Sequence, residues 1–470
     1  MMDNSFEAVM GRRGEIMKRA IGIDFEVFET GGIAFDYEKM MAETGYTLDE
    51  MRKIQRAGAV GNTPLIELPN ITELVRDSAE RLGMKGKGAR IFIKDEAANP
   101  SGSFKDRRAA NAVYQAKKLG YKGVIAATSG NYGAAVASQA ARHGLACIIV
   151  QECFDSRGVG QPEIIEKARK CEALGAEVVQ LTVGPELFYT FLLLLEGTGY
   201  FNASLYTPFG IAGVETLGAE IAEEMMAREN RYPDMVVCTH AGGGNLTGTA
   251  RGLIKAGATE TEIVGVSVNL KGLHMASDTQ FNRKSFTTGH TGFGIPFATW
   301  PDRSDVPRSA ARPLRYMDRY VTVNQGEVFY TTELLAQLEG MERGPAGNTS
   351  LAGAMALARE MDEDQILVVQ ETEYTGAGKH LQPQLTFARQ NGISILTGDP
   401  EDEICGESIV LPETPELMKA REVDLNALRR SLIRNAVAEA KEELTESDIS
   451  YLAEETKSSA ERIPEIIASL

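Results

Sequence analysis

Three times this chain runs from a short β-branched segment through a turn of small residues into a helix-forming stretch. Ala89–Lys94 (ARIFIK) leads to Asn99-Pro-Ser-Gly-Ser-Phe-Lys105-Asp-Arg-Arg. Gly123–Thr128 (GVIAAT) leads to Ser129-Gly130-Asn131-Tyr132-Gly133, and Met235–Thr239 (MVVCT) leads to Gly242-Gly243-Gly244-Asn245. Strand, tight turn and helix, repeated in that order, allow few arrangements: the strands pair in parallel and the helices cross over the sheet right-handedly. Further short strands are expected at Ala146–Glu152, Ala176–Thr182, Glu262–Asn269 and Gln365–Glu371, and a helix over about Phe104–Leu119. The expected class is α/β, with two open, mainly parallel domains and a cleft between them. The texture of the chain divides it into a helical extension over 1–60, a larger domain from 61–108 and 211–420, a small α/β domain over 109–210, and a helical C-terminal extension over 421–470.

Composition removes several classes of function. With 43% hydrophobic and 24% charged residues the chain is an ordinary globular protein. A formal net charge of −17 argues against a nucleic-acid surface, so any anionic ligand must be met by local backbone N–H groups or a few placed cations. The five cysteines (147, 153, 171, 238, 405) are scattered and the five histidines lack an HExxH spacing, which argues against a disulfide framework or a metal site. The start, MMDNSFEAVMGRRGE, lacks an apolar signal core, and the apolar cluster around Leu192–Leu195 is too short for a bilayer. A reduced, cytoplasmic protein without membrane partners is expected.

The three turns carry the chemistry. Lys105 stands where a helix begins, among small residues, and desolvation there together with the helix dipole favours the neutral amine that attacks an aldehyde. Alone, such a lysine reads as the solvated start of a basic helix. Ser129-Gly130-Asn131 alone reads as an N-cap and turn, although an asparagine amide can also donate to a phenolate oxygen. Three glycines before a helix expose backbone N–H groups as a nest for a phosphate. A dinucleotide turn is the rival there, but the spacing is not GxGxxG and no acidic residue ends the next strand.

In this order the motifs resemble pyridoxal-phosphate (PLP) enzymes of fold type II, the group of threonine synthase, serine/threonine dehydratase and tryptophan synthase beta. The resemblance covers roughly residues 61–378, including Gly61-Asn62-Thr63-Pro64-Leu65 near its start and Glu342-Arg343-Gly344-Pro345-Ala346-Gly347 near its end. It implies that PLP is bound covalently to Lys105 and that Asn131 contacts the ring oxygen. Gly242, Gly243, Gly244 and Asn245 would cradle the phosphate, and Ser129, Gly130 and Tyr132 would meet the substrate. Thr375, in a TGxG context, would face the pyridine nitrogen, with Glu371 and Glu373 as competitors. Relatives often carry a fourth glycine where this chain has Asn245.

Longer stretches, among them KDEAANPSGSFKDRRAA (94–110), KGLHMASD (271–278) and FTTGHTGFGIPFATWPDRSDVP (286–307), resemble the beta subunits of 2-amino-4-ketopentanoate thiolase. That resemblance implies cleavage of 2-amino-4-ketopentanoate with coenzyme A to acetyl-CoA and alanine in ornithine degradation. It also implies a small alpha subunit as partner and a homodimer of this chain within a hetero-oligomer. His290, between glycines, is a candidate for proton transfer, and His240 for packing beneath the cofactor. Cys153 and Cys238 read as buried apolar residues rather than nucleophiles. The arginines at 303, 308, 312, 315 and 319 read as solvated surface with local ion pairs, with the phosphates of coenzyme A or a partner subunit as the alternative. Two other readings stay open: a different fold type II reaction (threonine synthase, dehydratase or ammonia-lyase), and a non-catalytic PLP-binding regulatory subunit.

Overall fold

A computed structural model of the chain describes residues 3–128, 130–271, 284–287, 306, 308–374, 381–440 and 442–470. In chain order its strands are β1 (Leu65–Glu67), β2 (Arg90–Asp95), β3 (Gly123–Thr128), β4 (Ala146–Phe154), β5 (Glu177–Thr182), β6 (Phe201–Asn202), β7 (Met235–Thr239), β8 (Glu262–Val268), β9 (Arg319–Val323), β10 (Ile366–Glu371), β11 (Ser394–Gly398), β12 (Ser408–Pro412) and β13 (Arg421–Glu422).

Among the described residues one sheet has the order β1-β2-β10-β7-β8-β9-β13 and a second the order β5-β4-β3-β6, while β11 and β12 form a separate pair. The pairs β2–β10, β10–β7, β7–β8 and β8–β9 are parallel, and only the edge strands β1 and β13 join antiparallel. All pairs of the second sheet are parallel. Helices cover both faces of such a sheet, and central strands then need apolar residues without alternation. β2, β7 and β10 accordingly bury nearly every residue. The expected mainly parallel α/β architecture is what the chain adopts.

The N-terminal helices Phe6–Gly11 and Arg13–Ile21 put Val9, Ile16 and Met17 into the same core as β3 and β4. The C-terminal helices Leu425–Glu439, Glu446–Glu455 and Arg462–Ala468 add Ile433, Leu452 and Ile463 to that core. Asp448 accepts the backbone N–H of Ile33 and Ala34, both at 2.8 Å, across the whole length of the chain. Although burial opposes the charge, those donors and Thr445 hold its carboxyl down at about 2. Among the described residues no helix is long and apolar enough to cross a membrane, and no group of three or more His, Cys, Asp or Glu is placed to hold a metal.

Candidate active site

Lys105 is the first residue of the helix Lys105–Lys118, at the end of the turn that leaves β2. Gly102 makes the turn possible: its φ is +79°, and a Cβ there would lie 2.7 Å from the carbonyl oxygen of Tyr374. The turn is clamped to the segment that follows β10. Phe104 N–H donates to Thr372 O (3.0 Å), Tyr374 N–H to Gly102 O (2.8 Å), and Ser103 bridges Glu373. Lys105 keeps partial exposure while Ser103, Phe104, Asp106, Arg107 and Arg108 are buried. Desolvation dominates its titration and lowers the amine to about 8; Lys167 and Arg108 push the same way, and Glu373 and Glu163 push back.

A buried ion network holds this turn in place. Arg107 donates to Glu96 at 2.7 and 2.8 Å and to Glu220 at 2.9 and 2.7 Å. Lys94 reaches Glu224 at 2.7 Å and Glu220 at 3.2 Å. The Gly61–Pro64 segment is tied into the same network. Gly61 N–H donates to Asn99, Asn62 N–H to Glu220, and Thr63 Oγ1 to Glu96. In the described contacts this segment braces the lysine turn.

The second turn opens the helix Asn131–His143, with Asn131 nearly buried at its first position. Gly130 N–H donates to Thr128 Oγ1 at 2.9 Å, and a Cβ on Gly130 would sit 2.7 Å from Lys167 Cδ. Tyr132 points the other way: it is 1% exposed, lies in the core of the second sheet, and gives its hydroxyl to Ala203 O at 2.6 Å. What Tyr132 can offer a substrate is its backbone. Ser129 lies outside the described residues.

The glycine turn opens the helix Gly244–Lys255, with Gly243 at φ +83°. A Cβ would meet Tyr206 Oη at 1.6 Å on Gly242, Pro313 Cγ at 2.4 Å on Gly243, and Arg108 Nη2 at 2.8 Å on Gly244. A side chain on Gly242 or Gly243 would run into the Tyr206 or Pro313 ring, whereas one on Gly244 would meet the movable end of Arg108. The amide of Asn245 is turned inward to Gln370 Oε1 and to Thr239 O, leaving its backbone to face the turn.

Two carboxylates flank the end of β10. Glu371 is fully buried, and among the described residues neither of its oxygens makes a hydrogen bond of normal geometry. Burial first, and the nearby Asp95 charge second, push its carboxyl well above the usual carboxylate range. Gly347 backs it closely, since a Cβ there would lie 2.0 Å from Oε1. Glu373 is also raised by burial, against the opposing charges of Lys167 and Lys105. Thr375 and His290 lie outside the described residues.

The helix Pro162–Ala173 adds side chains that the sequence reading did not single out. Lys167 is buried and ion-paired with Glu163 at 2.6 Å, and Lys170 donates to Ser101 O at 2.5 Å. The four-residue spacing of Glu163 and Lys167 was visible, but it reads equally well as a surface pair.

Other expectations take definite form. Cys153 and Cys238 are fully buried and burial pushes their thiols up to about 12, so neither is a ready nucleophile. His240 is buried with its ring edge-on to Tyr320 at 4.9 Å. The arginine run is more committed than a solvated surface. Arg308 lies 3.7 Å from Glu29, Arg315 2.5 Å from Glu454 and Arg319 3.1 Å from Glu360. Arg312 is buried between Glu455 and Glu38, because the C-terminal helices close over it. Arg303 lies outside the described residues.

Residues 57–371 match the family described as pyridoxal-phosphate dependent enzyme. A 2-amino-4-ketopentanoate thiolase beta subunit from Acetoanaerobium sticklandii is 72% identical, over 100% of this chain and 99% of its own length. Another, from an unknown prokaryotic organism, is 66% identical over 100% of this chain and 98% of its own. Among solved structures, a pyridoxal 5'-phosphate-dependent aspartate racemase superposes with a TM-score of 0.53 at 20% identity, covering 70% of this chain and 95% of that one, a likeness of fold.

Proposed function

Because the chain belongs to the pyridoxal-phosphate dependent enzymes, and within them to the 2-amino-4-ketopentanoate thiolase beta subunits, we propose that it cleaves 2-amino-4-ketopentanoate with coenzyme A, giving acetyl-CoA and alanine. Relatedness along the entire chain carries the choice of reaction. The cofactor half rests on the site: a desolvated amine at about 8 shares a helix with Arg108, whose guanidinium lies against the glycine turn.

The residues fit the cofactor by their chemistry. Lys105 provides an amine for the aldehyde, and the backbone at Gly242, Gly243, Gly244 and Asn245 provides an anion nest. Asn131 stands at the mouth of the second turn for the ring oxygen. Thr375 is the contact for the pyridine nitrogen, with Glu371 and Glu373 as its rivals. Pyridoxal phosphate, when bound, supplies an aldehyde for the substrate amine and a ring that takes up the electron pair left at the α carbon.

Lys105 would remove the proton at the α carbon and return one there to complete alanine. An amine near 8 is close enough to neutrality to act in both directions. Ser129, Gly130 and the backbone of Tyr132 hold the amino acid, and His290 has a proton-transfer role. The chain acts with a small alpha subunit, as a homodimer within the larger assembly.

The deciding measurement is acetyl-CoA formation from 2-amino-4-ketopentanoate, dependent on coenzyme A, with and without the alpha subunit. Turnover is expected with the partner and little without it. Release of ammonia and no acetyl-CoA under every combination would favour a dehydratase-like lyase instead.

A further inference from the structure

Arg108 is a buried cation with almost nothing to bind among the described residues. It is 3% exposed, its Nη1 reaches only Leu205 O, at a long 3.3 Å, and its Nε has no hydrogen-bond partner among the described residues. The plane of Phe104 lies beneath it at 5.2 Å. Other deeply buried cations are served differently. Lys94, Arg107, Lys167, Arg251 and Arg312 each have a carboxylate within 3.2 Å. Arg359, which lacks one, donates to Ser78 and to the carbonyls of Pro415, Glu416 and Met418. A buried guanidinium cannot shed its proton at neutral pH, so isolation leaves an uncompensated charge. Desolvation accordingly dominates its titration, opposed only by the hydroxyls of Tyr206 and Tyr132.

The direction in which it points removes the anomaly. Arg108 Nη2 lies where a Cβ of Gly244 would come within 2.8 Å, at the first turn of the twelve-residue helix that Gly244 opens. A phosphate at that turn carries up to two negative charges, and a guanidinium meets such a group with two parallel donors. We propose that Arg108 is a second anchor for the cofactor phosphate, facing the backbone N–H groups of the glycine turn and supplying the positive charge that they lack. The proposal rests on the PLP reading of the site. It also explains how an acidic chain holds an anion with no lysine or arginine in the glycine turn itself.

The test compares PLP with pyridoxal, which has the same aldehyde and ring and no phosphate, by titrating cofactor-free protein. Wild type is expected to bind PLP far more tightly. Arg108→Met should weaken PLP binding by about 10- to 100-fold, the worth of one or two charge-assisted hydrogen bonds, and leave pyridoxal within about twofold. The same variant should melt no lower than wild type without cofactor, because an unpaired buried charge has been removed, and gain less on adding PLP. Arg108→Lys should recover part of the affinity and guards against a variant that fails to fold. Equal losses for PLP and pyridoxal, or unchanged PLP binding, would overturn the role of Arg108 alone. Wild-type protein that takes up no PLP would count against the family reading itself, and against this proposal with it.

Discussion

Lys167 Nζ lies 2.6 Å from Glu163 Oε1, one turn earlier on the same helix, and the pair is buried against Gly130 instead of lying in solvent. Both groups act on Lys105, in opposite directions: Lys167 lowers its pKa and Glu163 raises it. The helix thereby adds two opposing charges to a titration that desolvation dominates.

Capture of PLP by cofactor-free protein should report that titration. Only the neutral amine attacks an aldehyde, so the rate should rise about tenfold per pH unit at low pH and level off near the Lys105 pKa of about 8. Lys167→Gln removes a repelling cation and should move the midpoint upward, whereas Glu163→Gln should move it downward. Stopped-flow absorbance across pH 6 to 10 reads both. Midpoints that stay in place would mean that the helix does not tune the amine.

Lys105→Ala should abolish the visible absorbance of the lysine-linked cofactor and CoA-dependent turnover, while the melting temperature without PLP stays the same or rises, since a desolvated amine is lost. Survival of the absorbance would place the linkage on another residue.

Arg107→Leu should lower the free energy of unfolding by about 3–5 kcal/mol, because it strands Glu96 as a buried charge and leaves Glu220 to Lys94 alone. Urea denaturation of the cofactor-free protein measures it. The loss should fall well short of that range if the two carboxyls take up protons, which would show as a stronger dependence on pH.

Glu152 gives a pH test with the opposite sign to an ordinary ion pair. Burial raises its carboxyl from 4.5 to about 7. Between those values the folded chain holds a proton that the unfolded chain has lost, so its contribution to stability falls as pH rises from 4.5 to 7 and is flat above. Glu152→Gln keeps a neutral amide there and should raise stability at pH 8 by about 2–3 kcal/mol, with little change near pH 4. A variant equal to wild type at pH 8 would mean that Glu152 is hydrated when charged.

Gly243→Ala meets two obstacles, a left-handed backbone and Pro313 Cγ at 2.4 Å. It should cost about 1–2 kcal/mol in the cofactor-free melt from the backbone alone. PLP affinity should fall further still if the turn must also close on a phosphate. Calorimetry of both forms separates the two losses.

Much of the frame was legible before any coordinates. The expected strand Met235–Thr239 is β7 residue for residue, and the helix expected over about Phe104–Leu119 forms over Lys105–Lys118. These elements are announced by local properties: β-branched runs for strands buried on both faces, and small residues where the chain must turn. β6 and β13 have two residues each and β1 has three, so too little local pattern exists to mark them, and they are strands because a neighbour pairs with them. β9 was hidden in the arginine run, where Arg319 and Asp318 mask the Tyr-Val-Thr-Val that follows. At the site, the lysine and the glycines announced themselves through spacing, but Tyr132 gave no sign that its ring belongs to the core.

By itself the sequence determined which backbone can turn, which amine stands at a helix start, and that the strands run parallel. These follow from residue-level sterics and hydrophobic pattern, which act over a few positions. Charge partnerships were decided only by the tertiary structure. In Lys105-Asp106-Arg107-Arg108 the two arginines are chemically identical, yet among the described residues Arg107 meets Glu96 and Glu220 while Arg108 faces the glycine turn with a single distant carbonyl. Electrostatic strength depends on distance and on the exclusion of water, and both are set by helices that the chain brings together from more than a hundred residues away.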